Sequence, residues 1–243
     1  LPLKFNKVIG NFNCSNNELT SLKGCPKEVT GDFFCTDNKL TDLKGGPKSV
    51  GGGFFCGYNE LTSLKDGPKS VRNNYYCRSN QLTSLEGSPE SIGDYFTCET
   101  NKLTDLKGGP KSVGGIFNCD DNKLTSLEGS SEYIDRDFRC FRNELTSLKG
   151  SPKHIGGNLF CSHNKLTSLE NNTEYLGIRL YLNNNPVYSI LSGNVEYEHL
   201  TAFNSLKIIK DGVVNLKRLK YFHSIFDLDT IDLDSIKKFY KII

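Results

Sequence analysis

Cysteine is the residue type with the greatest capacity for chemistry in this chain, which carries nine cysteines among 243 residues. Eight of them recur every 21 residues, unlike the paired CxxC spacing of a zinc site. A fixed period of this length is typical of a repeat protein, in which each unit packs on its neighbours. Free cysteine serves in such a stack as a small buried hydrophobe. We therefore predict reduced, structural thiols at Cys14, Cys35, Cys56, Cys77, Cys98, Cys119, Cys140 and Cys161.

The other candidates for catalysis or metal ligation lack partners. Cys25 lies outside the column, in a slot otherwise filled mainly by glycine or serine, and we predict that it is a tolerated small residue. The closest cysteine and histidine, Cys161 and His163, have no third group to orient them. We accordingly predict no enzymatic activity, no cofactor and no metal site. The histidines, which form no triad or metal pair, are His154, His163, His199 and His223.

Four aspartates near the C-terminus have the spacing of oxygen ligands. The run lacks the glycine and the terminal glutamate of a calcium-binding loop. Carboxylates are favourable at the start of a helix, so we predict that the run begins one. Its members are Asp227, Asp229, Asp232 and Asp234.

An asparagine follows each cysteine of the column by three residues. An amide in this place can donate to and accept from the backbone of its own turn and of the adjacent turn. We therefore predict a structural hydrogen-bonded ladder rather than a set of catalytic groups. Its members are Asn17, Asn38, Asn59, Asn80, Asn101, Asn122, Asn143 and Asn164, and Asn185 extends it into an altered ninth repeat.

The elements that must position these columns follow from the pattern around the cysteine. Segments such as Phe54, Phe55, Cys56 alternate as a strand does, with the first and third residues inward and the second outward. Two leucine columns, beginning at Leu19 and Leu22, then re-enter the core. A segment rich in glycine and proline turns the chain back, which argues against a helix there.

The motif FxCxxNxLTSL stands where leucine-rich repeats have LxLxxNxLxxL, and over about residues 8–190 the chain resembles that family. The short, proline-containing repeat is similar to leucine-rich-repeat effectors of enteric pathogens. Its LTSLKG and cysteine details are similar to repeat proteins of large bacteriophages and other large viruses. The resemblance implies a leucine-rich-repeat solenoid of the α/β horseshoe class, mostly β, with a parallel concave sheet, non-helical convex returns and a small C-terminal helical cap.

Three parts of the chain are expected. Residues 1–11 read as a partial repeat or N-terminal cap, residues 12–190 as eight repeats plus the altered ninth, and residues 191–243 as a helical cap. Solenoids need such caps to cover their terminal repeats. Two helical faces are predicted in the last part from the apolar period, namely Leu216, Leu219, Phe222, Phe226 and Ile236, Phe239, Tyr240, Ile243.

Function is expected in the outward columns, because these vary while the inward columns hardly change. Aromatic residues and arginine are enriched at binding hot spots. We predict protein–protein recognition through the concave face. The resemblance described above implies a viral or bacterial protein that binds a host or virion protein. The candidate contacts are Phe34, Phe55, Tyr58, Tyr76, Arg78, Tyr95, Arg139, Phe141, Arg142, Phe160, Arg179 and Tyr181.

Two alternatives stay open. The aromatic residues can instead be β-favouring residues that pack along the sheet. The chain can also be a structural spacer or decoration subunit of a larger assembly, with contacts through its ends and its cap. Other partner classes are not indicated, because the net charge is only +2 and no run of about 18 apolar residues occurs.

We thus expect no membrane, nucleic-acid or small-molecule partner. Reduced cysteines favour an intracellular or virion-associated location. The chain begins at Leu1 and contains no methionine, so a secreted form stays open. On the returns, lysine and glutamate pairs alternate from the third repeat onward, as Lys65, Glu86 and Lys107 do, which predicts ladders of ion pairs between neighbouring repeats.

Overall fold

The computed structural model describes residues 6–170, 173–191, 195–228 and 230–243. Each repeat of the array contributes two short strands joined by a corner, and all but the last have strands of two residues and a corner of three, as in Ser49–Val50 and Phe54–Phe55. One residue of each strand after the first in each sheet is buried, and Val50 is 2% exposed while Phe54 is fully buried. The repeats thus stack as a solenoid with two parallel sheets.

The return sheet holds the strand that precedes each corner. Its strands pair in parallel with the next repeat and in register, so that Val29 lies opposite Val50. Their inward residues are the valine and isoleucine column. Within the described residues the strands are Lys7–Val8, Glu28–Val29, Ser49–Val50, Ser70–Val71, Ser91–Ile92, Ser112–Val113, Tyr133–Ile134, His154–Ile155 and Tyr175–Leu176.

The cysteine sheet holds the strand that ends at the cysteine column, and it is also parallel and in register. Its far end is covered by an antiparallel strand, Val195–Glu196, which pairs with Arg179 and Leu180. The parallel strands in the described part of the chain are Phe12–Asn13, Phe33–Phe34, Phe54–Phe55, Tyr75–Tyr76, Phe96–Thr97, Phe117–Asn118, Phe138–Arg139, Leu159–Phe160 and Arg179–Tyr181.

The core of the array is a set of stacked columns. Rings of the phenylalanine column contact from repeat to repeat, with centroids 5.4 Å apart for Phe12 and Phe33 and 5.5 Å for Phe33 and Phe54. Both leucine columns are fully buried in the middle repeats, as Leu82 and Leu85 are. The chain folds as a leucine-rich-repeat solenoid with returns that are not helical, as the motif predicts. The strands on the returns were not predicted.

The C-terminal segment contains helices, but it is more mixed than predicted. Its helices are α1 (Tyr188–Leu191), α2 (Tyr197–Ser205), α3 (Leu216–Ile225) and α4 (Leu233–Lys237). A small sheet joins Ile209–Lys210, Val213–Val214 and Lys241–Ile242. Leu219 and Phe222 of the first predicted helical face are buried in α3.

The second predicted helical face is wrong. Helix α4 ends at Lys237, and the chain then pairs Lys241–Ile242 with Val213–Val214 as a parallel strand. Ile236 and Tyr240 are buried, whereas Phe239 is 53% exposed and Ile243 is 70% exposed. Pairing with a distant strand overrides the local period here. The Tyr240 hydroxyl donates to the Thr167 carbonyl at 2.9 Å and so joins this segment to the array.

The helices in the described ranges are all too short or too polar to cross a membrane.

Candidate protein-binding face

The cysteine column consists of buried, protonated thiols. The nine cysteines are free and buried. Burial raises the pKa of the Cys98 and Cys119 thiols well above its ordinary value. The protonated thiol finds a backbone partner in the next repeat, as Cys119 Sγ does by donating to the Arg139 carbonyl at 3.1 Å. Such thiols are neither nucleophiles nor metal ligands.

Cys25 is also buried, and its thiol hydrogen-bonds with that of Cys14. This hydrogen bond raises the pKa of Cys14 and lowers that of Cys25. The residues that the structure describes contain no group of three or more histidine, cysteine or acidic side chains able to hold a metal ion.

The asparagine column forms a ladder through the interior. The Asn101 amide donates to the carbonyls of Cys77, Cys98 and Glu99 at 3.1, 3.0 and 3.2 Å. Its oxygen accepts from the Leu82 N–H at 3.0 Å. Each amide therefore ties its own turn to the preceding repeat. The same donor pattern to the preceding and own cysteine carbonyls occurs at Asn38, Asn59, Asn80, Asn122, Asn143 and Asn164.

The residue before each asparagine has a left-handed backbone, which the sequence pattern did not reveal. Its φ is +53° at Asp37 but also +52° at Tyr58, +55° at Thr100 and +51° at Arg142. Aspartate and asparagine tolerate this conformation, whereas bulky and β-branched residues rarely adopt it. This outward column therefore varies in side chain while its backbone is constrained.

Where the last residue of a corner is aspartate or asparagine, its side chain forms a hydrogen bond to a neighbouring repeat. Asp32 Oδ1 accepts from the Gly53 N–H at 2.7 Å, and Asp137 Oδ1 accepts from the Asn158 N–H at 2.8 Å. These side chains join the corners of successive repeats. Candidate contacts Tyr95 and Arg179 occupy the same column without an acceptor of this kind.

Near the N-terminal end, three candidate contacts form one aromatic cluster on the outer face of the cysteine sheet. The rings of Phe34 and Phe55 stack at 4.6 Å, and those of Phe55 and Tyr76 meet edge to face at 5.0 Å. All three side chains are partly exposed. Tyr58 has 44% of its surface exposed, and its ring centroid lies 5.0 Å from the Arg78 guanidinium. The rings pack along the sheet and still present apolar surface to solvent.

A second cluster lies toward the C-terminal end of the same face. Phe160 and Tyr181 stack at 4.6 Å, and the Arg139 guanidinium lies 5.4 Å from the Phe160 ring centroid. Beside them the Arg142 guanidinium lies 4.9 Å from the Phe141 ring centroid. The face thus presents two clusters of aromatic and arginine side chains on one rigid frame.

Three candidates make contacts between or beyond the clusters. Arg78 pairs with Glu99 at 3.3 Å. The Tyr95 hydroxyl accepts from Arg136 at 3.2 Å. Arg179 pairs with Glu196 of the covering strand at 3.3 Å, and so contacts the C-terminal segment.

A second aromatic surface was not among the predicted contacts. On the return sheet, Tyr133, His154 and Tyr175 form a parallel stack with ring centroids 4.1 and 4.5 Å apart. The column that they occupy holds serine in the preceding four repeats, Ser49, Ser70, Ser91 and Ser112. The change from serine to aromatic residues was visible in the sequence once the return was known to be a strand.

The charges on the returns pair as predicted. Lys65 contacts Glu86 at 3.1 Å and Lys107 contacts Glu128 at 3.3 Å, each in the neighbouring repeat. Lys111 likewise contacts Glu90 at 3.1 Å. These exposed pairs favour the observed register, and each contributes about 0.2–1 kcal/mol.

The remaining histidines and aspartates have structural contacts. His163 contacts Asn184 at 2.9 Å, and His223 contacts the Ile190 carbonyl at 2.8 Å. His199 is part of the cap of α2. Asp232 accepts from the backbone of Asp234 and Ser235 at the start of α4, as predicted for the acidic run, while Asp229 lies outside the described residues.

No family model and no curated protein matches the chain. Among solved structures, YopM from Yersinia enterocolitica WA-314 is similar at 21% identity and a TM-score of 0.39, over 72% of this chain and 47% of that one. YopM from Yersinia pestis, described as a leucine-rich effector protein, is similar at 17% identity and a TM-score of 0.43, over 72% and 60%. The chain spans only 47% and 60% of these two proteins, and the likeness concerns the fold alone.

Proposed function

We propose that this chain is a non-enzymatic recognition protein that binds a protein partner through the outer face of the cysteine sheet. The observation that carries the proposal is the pair of partly exposed aromatic clusters, Phe34 with Phe55 and Tyr76, and Phe160 with Tyr181. Tyrosine and arginine anchors of this kind supply most of the affinity of protein interfaces. Host and virion proteins are the partner classes that the resemblance of the repeats suggests.

Rigidity supports the proposal further. The clusters lie on strands whose inward residues are buried and whose turns are tied together by the asparagine ladder. A surface that is already ordered loses little entropy on binding, so more of the contact energy appears as affinity. Ring stacking along the sheet, the first alternative, is compatible with this role because stacked rings hold their exposed edges in place.

The test replaces aromatic residues with the residue that another repeat of this chain carries in the same column. In the first variant Phe34→Thr, Phe55→Thr and Tyr76→Thr are combined, since Thr97 occupies the same column. In the matched control Tyr133→Ser, His154→Ser and Tyr175→Ser are combined, because serine occupies that column of the return sheet in earlier repeats.

Both variants and the native chain are immobilised and exposed to extract from the native source, and captured proteins are quantified by mass spectrometry. We expect proteins enriched by the native chain to be lost by about 30-fold or more on the threonine variant, as for substitution of hot-spot residues. The serine control should retain them. Equal capture by the threonine variant, or loss on the serine control alone, would place recognition elsewhere and favour the spacer role.

A further inference from the structure

A notch separates the two aromatic clusters. The outward column of the cysteine sheet is bulky at Tyr76 and again at Arg139, but the two rows between them carry Thr97 and Asn118. Two short side chains side by side leave a cavity of about 370 Å³. Its walls include Tyr76, Arg78, Thr97, Glu99, Asn118 and Arg139.

Two arginines line this notch, and each is held in place by a ring and a carboxylate. The Arg78 guanidinium lies 5.0 Å from the Tyr58 ring centroid and donates to Glu99 Oε1 at 3.3 Å. The Arg139 guanidinium lies 5.4 Å from the Phe160 centroid, and its Nε donates to Asp120 Oδ2 at 3.2 Å. Arginines that are already positioned lose little freedom when they bind an acceptor.

These contacts leave most of the guanidinium hydrogen-bonding capacity unused. A guanidinium has five N–H donors. Within the described residues, Arg139 uses only its Nε in a hydrogen bond, which leaves both terminal nitrogens, and Arg78 uses only Nη1. Such terminal nitrogens match the two oxygens of a carboxylate in a bidentate contact.

Each oxygen of the two carboxylates near the notch already accepts a hydrogen bond. Glu99 accepts from Arg78 on one oxygen and from Asn118 Nδ2 on the other, at 2.6 Å. Asp120 is only 5% exposed, does not line the notch, and accepts from the Phe141 N–H at 2.7 Å as well as from Arg139. A cation entering the notch would therefore meet two arginines and no free carboxylate oxygen pair.

We infer that the notch receives the carboxylate of an aspartate or glutamate from an extended segment of the partner, bound between Arg78 and Arg139. The inference rests on the proposed function and specifies the chemistry of the partner. Apolar side chains on either side of the acidic residue would contact the two aromatic clusters. A carboxylate is favoured over a phosphate because Glu99 on the wall repels a dianion more strongly than a monoanion.

The test begins with selection of peptides from a random dodecapeptide display library on the immobilised native chain. Bound sequences are compared with the unselected library. We expect enrichment of aspartate or glutamate flanked by apolar or aromatic residues. Two results would overturn the inference and leave the proposed function standing. The first is enrichment of lysine or arginine. The second is no acidic enrichment among the peptides that fail to bind the variant with Phe34→Thr, Phe55→Thr and Tyr76→Thr.

The second stage measures the affinities of three peptides. They are one selected peptide, the same peptide with its acidic residue changed to the corresponding amide, and the same peptide with phosphoserine at that position. On the native chain the amide should weaken binding by about tenfold to hundredfold, the range for a hydrogen bond to a charged group. On the Arg78→Gln, Arg139→Gln variant the same change should matter less than about threefold. Tighter binding of the phosphoserine form would overturn the choice of carboxylate.

Two further variants guard against loss of the fold and of positive charge in general. The Arg78→Lys, Arg139→Lys variant keeps charges beside Glu99 and Asp120, and we expect it to lose most of the preference for the acid over the amide. Arg72→Gln, an exposed arginine that does not line the notch, should keep that preference in full. A preference that survives in both double variants would overturn the inference. Failure to select any peptide, or selected peptides that bind the threonine variant equally, would count against the proposed function itself.

Discussion

The two sheets of the array are alike on their inward sides and different on their outward sides. Inward, both present an almost unchanging apolar column, valine or isoleucine on the return sheet and phenylalanine with cysteine on the cysteine sheet. Outward, the return sheet carries four serines and then the stack of Tyr133, His154 and Tyr175. The cysteine sheet instead carries aromatic clusters at both ends and the notch at Thr97 and Asn118.

This difference is what we expect if the inward side provides stability and the outer face provides the recognition proposed above. The inward columns and the asparagine ladder hold every repeat in the same way, so the outward residues can change from row to row without changing the fold. Changes to the inward side should therefore alter stability, and changes to the outer face should alter binding. The following predictions test this division, beginning with the largest effect.

The strongest perturbation of the inward side is alkaline pH. Burial raises the pKa of seven interior thiols, from Cys35 to Cys161, whereas the unfolded thiol titrates near 9.0. Stability is therefore fully present below pH 9 and is lost above it, because only the unfolded chain releases protons. Each thiol contributes about 1.4 kcal/mol per pH unit, or about 10 kcal/mol for the set, which rivals the whole stability of a domain.

We expect urea unfolding midpoints that are constant from pH 7 to 8.5 and fall steeply between pH 9 and 10. A Cys98→Ala, Cys119→Ala variant should start from a lower midpoint and lose about 3 kcal/mol per pH unit less than the native chain. Midpoints that stay constant to pH 10.5, or rapid reaction of the folded chain with maleimide at pH 8, would contradict the assignment of these thiols to a sealed interior.

The asparagine ladder is the next most sensitive part. Asn101→Ala removes three donated bonds and one accepted bond. The carbonyls of Cys77 and Cys98 keep Asn80 and Asn122 as donors, whereas the Leu82 N–H loses its side-chain partner. An unsatisfied buried N–H costs about 1–3 kcal/mol and a lost hydrogen bond about 1 kcal/mol, so we expect a loss of about 3 kcal/mol in the free energy of unfolding. The exposed neighbour provides the control, since Lys102→Ala should change the midpoint little. Similar midpoints for the two variants would show that the ladder is not what joins the repeats.

Most of the array could be predicted from the sequence because its information is repeated. The period, the inward columns and the role proposed for Asn101 each follow from chemistry that recurs in every repeat. The return sheet could not be predicted locally, since strands as short as Ser70–Val71 are defined by pairing with neighbouring repeats rather than by a pattern of their own. The strand Lys241–Ile242 was missed for the same reason.

The candidate contacts stay a prediction, and the sequence did not indicate how their side chains are arranged. The variable columns named Phe55, Arg78 and Arg139 as candidates, but gave no sign of the ring and the carboxylate that contact each arginine. The left-handed turn was hidden because residues as unsuited to it as Thr100 occupy it alongside aspartate. Side-chain conformation and backbone strain depend on contacts across repeats, which no single repeat encodes.

The smallest predicted effect concerns Asp66, which stands where the neighbouring repeats carry glycine. Asp66 has φ of +66° in a slot where the neighbouring repeats carry Gly45 and Gly87 with φ of +88° and +103°. A Cβ built at Gly87 would lie 2.6 Å from the Leu64 carbonyl carbon, so the slot is narrow as well as left-handed. We expect Asp66→Gly to raise the free energy of unfolding by about 1 kcal/mol, because glycine adopts a left-handed backbone without the strain that a residue with a Cβ has there. The reciprocal change Gly87→Asp should lower it by at least as much, and urea midpoints of the two variants check both signs. A lower midpoint for Asp66→Gly would mean that the aspartate side chain stabilises this turn by more than its backbone strain costs. The structural requirements of the repeats would then differ more than their inward columns indicate.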